Sequence, residues 1–191
     1  MRFIVDIFIA IAIAAALGIG SAWYVIDRGA VFGTVTVGAW TAWPASGQPD
    51  ADPYAVAWLA RTGEVPLGAG EGIAFTATAD SSGRPLTAAC DYTVRGQTPA
   101  ARLWTLAAYA FGDAGGAPAP DRSSINSRIL VRQPDGSFAI ALSPEVQPGN
   151  WVPLQAGRNF RLVLRLYDTP VTTGSRLTDM VLPEIVRGAC R

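Results

Sequence analysis

The chain has 191 residues, its 15 acidic side chains are balanced by 15 basic ones, and every one of those cations is arginine. With neither lysine nor histidine, it lacks the imidazole general base, the Ser-His-Asp and Cys-His pairs, the Schiff-base and phosphate-loop lysines and the imidazole metal ligand. Zero net charge also omits the cationic surplus that draws proteins to phosphate backbones, so no nucleic-acid partner is expected.

Between Phe3 and Ile26 only Asp6 and Ser21 are strongly polar, and the run from Ile7 to Ile26 covers 20 residues. At about 1.5 Å per residue this length crosses the roughly 30 Å hydrocarbon core of a bilayer. Arg2 and the terminal amine precede the run, a weak bias toward a cytoplasmic N-terminus, and Trp23 with Tyr24 falls at the far interface. The same stretch also admits a cleaved secretory signal, with Ile7 to Leu17 as apolar core and Gly20-Ser21-Ala22 as the small residues at the cleavage site. Cleavage there would start a soluble protein on Trp23-Tyr24-Val25-Ile26, so the favoured reading is an uncleaved inner-membrane anchor over residues 1–28. Asp6 then lies at the cytoplasmic edge, within reach of water. Both readings send residues 29–191 out of the cytoplasm as one periplasmic domain. Cys90 and Cys190 are the only cysteines, with no C-x-x-C spacing and no lysine or histidine to lower a thiol pKa. They are expected to form a structural disulfide closing a loop of about 100 residues, worth about 4.7 kcal/mol in the chain-entropy model.

Beyond the anchor, Gly and Pro are scattered between short apolar runs, the pattern of an all-β sandwich or barrel. Gly33 to Trp43 alternates in part and reads as a first strand, closed by Pro44 and Ser46-Gly47-Gln48-Pro49. One helix is predicted from Pro53 to Thr62: Asp50 or Asp52 caps it, Ala55, Trp58, Leu59 and Thr62 share a face, and Gly63 suits the left-handed position past its end. Glu64 to Gly72 is a loop. Its Gly68-Ala69-Gly70-Glu71-Gly72 stretch lacks the strand and helix that a phosphate cradle requires. Next come a strand at Ile73 to Ala79, a turn at Asp80-Ser81-Ser82-Gly83, and a strand holding Cys90, Tyr92 and Val94. Arg102 to Phe111 has two apolar faces, Leu103, Tyr109 and Phe111 against Trp104, Leu106 and Ala108, which places it centrally in a covered sheet. Gly112 to Ser124 reads as a mobile loop. Asp135-Gly136 signals a hairpin, its first strand setting Arg128 and Arg132 opposite Ile129 and Val131, its second aligning Phe138, Ile140 and Leu142. In Phe160 to Tyr167, Phe160, Leu162, Leu164 and Leu166 go inward and Arg161, Val163, Arg165 and Tyr167 outward. Leu177 to Val186 ends in one more short strand.

In that order stand Phe75-Thr76-Ala77-Thr78, Asp80, Gly83-Arg84-Pro85-Leu86, Tyr92, Leu103-Trp104-Thr105-Leu106, Gln133-Pro134-Asp135-Gly136-Ser137, Gly149-Asn150-Trp151-Val152-Pro153 and Leu164-Arg165-Leu166-Tyr167. Over roughly Ala51 to Arg187 the sequence resembles the bacterial domain of unknown function 1214. The resemblance implies a jelly-roll-like antiparallel β-sandwich, commonly the C-terminal half of a two-domain protein. Here an anchor stands in place of the other half, as in shorter members with one membrane segment. The resemblance implies no catalytic residue.

Two side-chain groups are candidate contacts. Asn150 and Trp151 sit in a Pro- and Gly-bounded loop, where an exposed indole beside an amide can stack on and hydrogen-bond a sugar; the plainer reading has Trp151 plug the sandwich while Asn150 braces the loop. Arg128, Arg132, Arg161 and Arg165, with Tyr167, can form a cationic stripe for an anionic polymer or lipid headgroup, since guanidinium binds carboxylate and phosphate in bidentate fashion; the plainer reading is a solvated face interleaved with acids. A glycosidase-type carboxylate pair would come from Glu64, Glu71, Asp91, Glu145, Asp168 and Glu184, none of which lies in a motif. Asp50, Asp52 and Asp80 are explained by caps and turns, and neither Asp50-Ala51-Asp52 nor the stretch from Asp80 to Asp91 has calcium-loop spacing. No metal or cofactor is expected. The expected role is a non-catalytic cell-envelope binding or assembly module that docks a separately encoded partner protein resembling the missing half; the alternative is a lectin-like glycan module or carboxylate-based hydrolase using the Trp151 loop.

Overall fold

The computed structural model describes residues 2–28, 33–62, 65–68, 70–110, 124–170, 177 and 180–191. Its first element, α1 (Arg2–Arg28), is a 27-residue helix. None of its apolar stretch is buried against the protein, and by length and composition it can cross a membrane.

The single strand expected over 33–43 is a hairpin, β1 (Val35–Val37) and β2 (Trp40–Ala42). Gly38 takes φ 60° at the first of the two turn residues, the arrangement whose twist matches flanking strands and which a residue without a Cβ adopts cheaply. After turns at 44–50 comes α2 (Pro53–Thr62), on the residues predicted. Asp52 is its cap: the carboxylate Oδ1 accepts the Tyr54 N–H at 3.3 Å and the carbonyl accepts the Val56 N–H at 3.0 Å. Ala55 is buried and Trp58 and Leu59 are half-buried on the inner face. The cap expected at residue 63 lies outside the described residues, as does the loop expected from Gly112 to Ser124 except for Ser124, which begins a strand.

The remaining strands are β3 (Gly72–Ala77), β4 (Cys90–Gly96), β5 (Leu103–Ala110), β6 (Ser124–Asn126), β7 (Phe138–Ser143), β8 (Trp151–Pro153), β9 (Phe160–Tyr167) and β10 (Glu184–Cys190). They form two sheets packed as a sandwich, a six-stranded one in the order β1-β2-β3-β9-β5-β6 and a four-stranded one in the order β10-β4-β7-β8. The larger is antiparallel throughout. In the smaller, β10-β4 and β4-β7 are antiparallel and β7 and β8 run parallel, Ala141 to Ser143 beside Trp151 to Pro153, a local exception within the antiparallel sandwich expected. The chain doubles back through 144–150 before β8 begins, so the two strands share a direction.

The hairpin expected at Asp135-Gly136 keeps its turn, the Gly136 N–H donating to the Gln133 carbonyl at 2.9 Å and Asp135 Oδ1 accepting the Ser137 N–H at 2.9 Å. Its first arm, 128–132, is not a strand. Both edges of β7 are occupied, one by β4 and one by β8, so no ladder is left for that arm to join.

The core lies between the sheets. Phe160, Leu162, Leu164 and Leu166 point into it from β9 as the alternation predicts, with Phe75 and Leu106 from the neighbouring strands; Tyr92, Val94, Phe138, Ile140 and Leu142 meet them from the smaller sheet. Rings pair within this core, Tyr92 with Phe160 at 5.6 Å between centroids and Trp104 with Phe138 at 5.2 Å. Fully burying such side chains contributes about 1.5–3 kcal/mol each. The short β2 is pinned from inside, because the buried Trp40 indole donates to the Pro183 carbonyl at 2.7 Å.

Candidate functional site

Among the described residues, the outer face of the larger sheet is only partly covered. Trp43, the residue after β2, meets Trp58 of α2 edge-on with ring centroids 5.2 Å apart, which holds the helix over the sheet. Between α2, residues 65–67 and the outer faces of β3 and β9 lies a cavity of about 750 Å³, within the roughly 300–1,000 Å³ range of ligand sites. The side chains the sheet turns toward it are small: Thr41, Ala74, Thr76 and Thr78. They leave open the volume that large apolar residues would fill. Asp27, near the end of α1, also lines the cavity and is joined to Arg61 of α2 at 2.8 Å.

The charged part of the wall comes from β9. Arg161 and Arg165 stand on its outward face, each guanidinium carbon 5.8 Å from the centroid of the Tyr109 ring on β5. Arg165 also donates to the Tyr109 hydroxyl at 3.1 Å, and among the described residues no carboxylate lies within ion-pair distance of it. Val163, between the two arginines and opposite Ala107, is buried although it points away from the core. Thus a cation is held in a fixed position beside apolar surface.

Asp80 belongs to the same wall but is fully committed. Its Oδ1 accepts the backbone N–H groups of Ser82 and Arg84 at 2.9 and 3.1 Å, the turn chemistry expected of it. Its Oδ2 accepts Arg187 Nε at 2.8 Å, with the Asp80 side chain 1% exposed and that of Arg187 13%. Burial pushes the Asp80 carboxyl up, but hydrogen bonds from Ser82, Arg187 and Arg84 outweigh it and hold the group well below the ordinary carboxylate range. Arg187 further donates to the Pro85 carbonyl, lies 5.2 Å from the Tyr92 ring centroid and reaches Cys90 Sγ at 3.7 Å. Cys90 is bonded to Cys190, directly opposite it in register, with Cα atoms 3.9 Å apart. Turn, β4 and β10 are therefore clasped at one place. The Arg187 half of this clasp has no local sequence signal, since 107 positions separate it from Asp80.

The expected four-arginine stripe is corrected to two groups. Because 128–132 is not a strand, Arg128 and Arg132 are not set beside Arg161 and Arg165; they line a second, more open hollow of about 490 Å³ with Arg102, Trp104 and Asp135. There Arg132 lies 5.9 Å from the Phe138 ring centroid and donates to the Gly136 carbonyl at 3.0 Å. Tyr167, half-buried, ends β9 between Gly72 and Leu103. Gly72 is required by that approach, since a Cβ there would sit 2.0 Å from the Leu166 carbonyl oxygen.

Asn150 and Trp151 are turned to the loop itself. Asn150 Oδ1 accepts the Val131 N–H at 2.8 Å, while Nδ2 donates to the carbonyls of Val131 and Ala139 at 2.7 and 3.0 Å. One carboxamide thus supplies the hydrogen bonds that 128–132 lacks as a strand. Trp151 is half-buried and its indole donates to the Ser143 carbonyl at 3.0 Å. Of the carboxylates considered for acid–base work, Asp91 and Glu145 share Arg191 Nη2 at 3.3 and 3.4 Å, while Asp168 pairs with Arg102, Glu184 with Arg95, and Glu71 accepts the Gly68 N–H. Glu64 lies outside the described residues. Among the described residues no three His, Cys, Asp or Glu side chains gather as a metal site.

The family described as "Protein of unknown function (DUF1214)" matches residues 71–171. Among solved structures, the VPA0106 protein from Vibrio parahaemolyticus is similar at 22% identity and a TM-score of 0.57, over 73% of this chain and 36% of that one. A putative uncharacterized protein from Burkholderia cenocepacia is similar at 17% identity and a TM-score of 0.40, over 91% of this chain and 51% of that one. The chain thus spans about a third to a half of the length of these structures. No curated protein matches. The first likeness shows the fold; the site rests on the geometry above.

Proposed function

The chain belongs to the DUF1214 family of proteins of unknown function, and we propose that it is a non-catalytic binding module of the cell envelope, tethered by α1 in the inner membrane with its sandwich on the periplasmic side. The observation that carries this reading is the position of the cavity. Asp27 near the end of the tether forms part of its wall and is ion-paired to the helix that roofs it, so whatever the cavity holds is held beside the membrane. The Cys90–Cys190 bond fits an oxidising compartment. The carboxylates paired with arginine, Asp91 and Glu145 on one Arg191 among them, favour holding over proton transfer. A second envelope protein is the partner in this reading.

A C-terminal alkaline phosphatase fusion, active only outside the cytoplasm, is expected to be active in whole cells. Crosslinked pull-down of the full chain from membranes is expected to return one stoichiometric envelope protein. A fusion inactive in cells, or a pull-down empty across crosslinker lengths, overturns the placement or the docking respectively.

A further inference from the structure

We propose that the cavity beside the anchor takes an amphiphile with a single oxyanionic head, drawn from the adjoining membrane, its chain lying against α2 and its head on Arg165. The inference deepens the binding-module reading and rests on it. Size is the first argument: about 750 Å³ accommodates a ligand with an extended apolar part. The second is the division of the wall. Trp43, Trp58, Leu59 and Val163 give it an apolar surface, and Arg165 gives it a charge. That charge is positioned by the Tyr109 hydroxyl at 3.1 Å, and no carboxylate pairs with it among the described residues. The two carboxylates of the wall are already matched, Asp27 by Arg61 at 2.8 Å and Asp80 by Arg187 at 2.8 Å. An oxyanion therefore meets a fixed guanidinium beside carboxylates already neutralised, and charge-assisted hydrogen bonds of that kind are the strong ones.

The third argument is access. α1 is apolar and is exposed from Phe3 to Ser21, and its last turn contributes Asp27 to the wall. Val65, also on the wall, is 82% exposed, and Val56 of the roofing helix is 51% exposed. Apolar groups left in the open beside a membrane-crossing helix mark a surface that meets the bilayer interface, so a chain can pass from membrane to cavity without crossing bulk water.

The test uses the full chain in a non-ionic detergent, titrated with oleate, oleoyl lysophosphatidate, monooleoylglycerol or inorganic phosphate and read as mass adducts by native mass spectrometry. Oleate and lysophosphatidate are expected to bind one to one, and which of the two binds tighter tells a carboxylate head from a phosphate head. Monooleoylglycerol is expected to bind at least tenfold more weakly, as the lost charge-assisted hydrogen bonds imply. Arg165→Gln is expected to bring the anionic probes down to the neutral one, and Thr76→Leu, which fills the cavity, to weaken all three chains together. Monooleoylglycerol binding as well as oleate, with Arg165→Gln without effect, refutes the oxyanion head and leaves the binding-module reading standing. Inorganic phosphate binding as tightly as the lipids refutes the amphiphile. No one-to-one adduct from any probe, with the protein and its variants folded by their melting curves, overturns the cavity as an amphiphile site, while the docking reading is decided separately by the pull-down.

Discussion

Two arginines on neighbouring layers of this sandwich share a device and differ in one respect. Arg187 on β10 lies 5.2 Å from the Tyr92 ring centroid, and Arg165 on β9 lies 5.8 Å from that of Tyr109. Arg187 also has a buried carboxylate, Asp80 at 2.8 Å, and it joins the turn after β3, strand β4 and strand β10. Arg165 has the phenol hydroxyl and no carboxylate among the described residues. Both side chains are oriented by their neighbours, but only the first is neutralised by them. The pair separates two uses of arginine: an ion pair closed within the fold adds rigidity, while a positioned cation left open can accept an anion from outside.

The largest effect expected in testing this contrast comes from the disulfide beside Arg187. Replacing Cys90 and Cys190 together by Ser is expected to lower the unfolding free energy by about 4.7 kcal/mol in the chain-entropy view, read from the urea midpoint. An unmoved midpoint would show that Arg187 alone secures β10, and would widen the difference between the two arginines. Arg187→Ala comes next. It leaves buried Asp80 with only the exposed Arg84, whose Nε is 3.4 Å from Oδ2, and the loss of the inner partner is expected to cost about 3 kcal/mol. The same site sets an acid dependence. The folded Asp80 carboxyl is held below the ordinary value of about 3.9, so its contribution is complete above that pH and is lost as pH falls through it toward the folded value. Asp80→Asn is expected to flatten the acid limb of melting temperature against pH. Asp135 is also lowered, by hydrogen bonds from Ser137, but is exposed; Asp135→Asn is expected to leave most of the limb in place. A limb unchanged in Asp80→Asn would remove the clasp from the explanation.

What the sequence disclosed follows the range of each interaction. The helix at Pro53–Thr62 and the inward and outward faces of β9 depend on periodicity and caps a few residues long, and both were legible; β5, expected at the centre, lies next to the edge strand β6. The Gly38 turn was also local, yet β1 and β2 are three residues each, too short for alternation to separate them from one longer strand. The arm at 128–132 alternates like a strand, but its fate depended on β8 occupying the edge of β7. The cavity was illegible for the same reason. Its small residues, Ala74 and Thr76, look like ordinary strand positions until α2 lies over them.

The smaller effects fall on groups that brace without closing a charge. Asn150→Ala removes three hydrogen bonds to backbone, two of them to Val131, in an exposed stretch, and is expected to cost about 1–2 kcal/mol together with faster amide exchange at Val131. A loss below a few tenths of a kcal/mol would mean that water replaces the carboxamide there.

Arg165→Gln is expected to do least to the fold. The side chain is half-buried and gives up one hydrogen bond to Tyr109, and no buried carboxylate is stranded by its removal. Its stability change should therefore stay within about 0.5 kcal/mol, against about 3 kcal/mol for losing Arg187. The two variants measured side by side isolate the counter-ion as the variable, because the ring beneath each guanidinium is a tyrosine in both cases. Equal losses would mean that the stacked ring, rather than Asp80, carries the energy of the Arg187 site. A large loss at Arg165 alone would make that residue part of the structural frame instead of the binding wall.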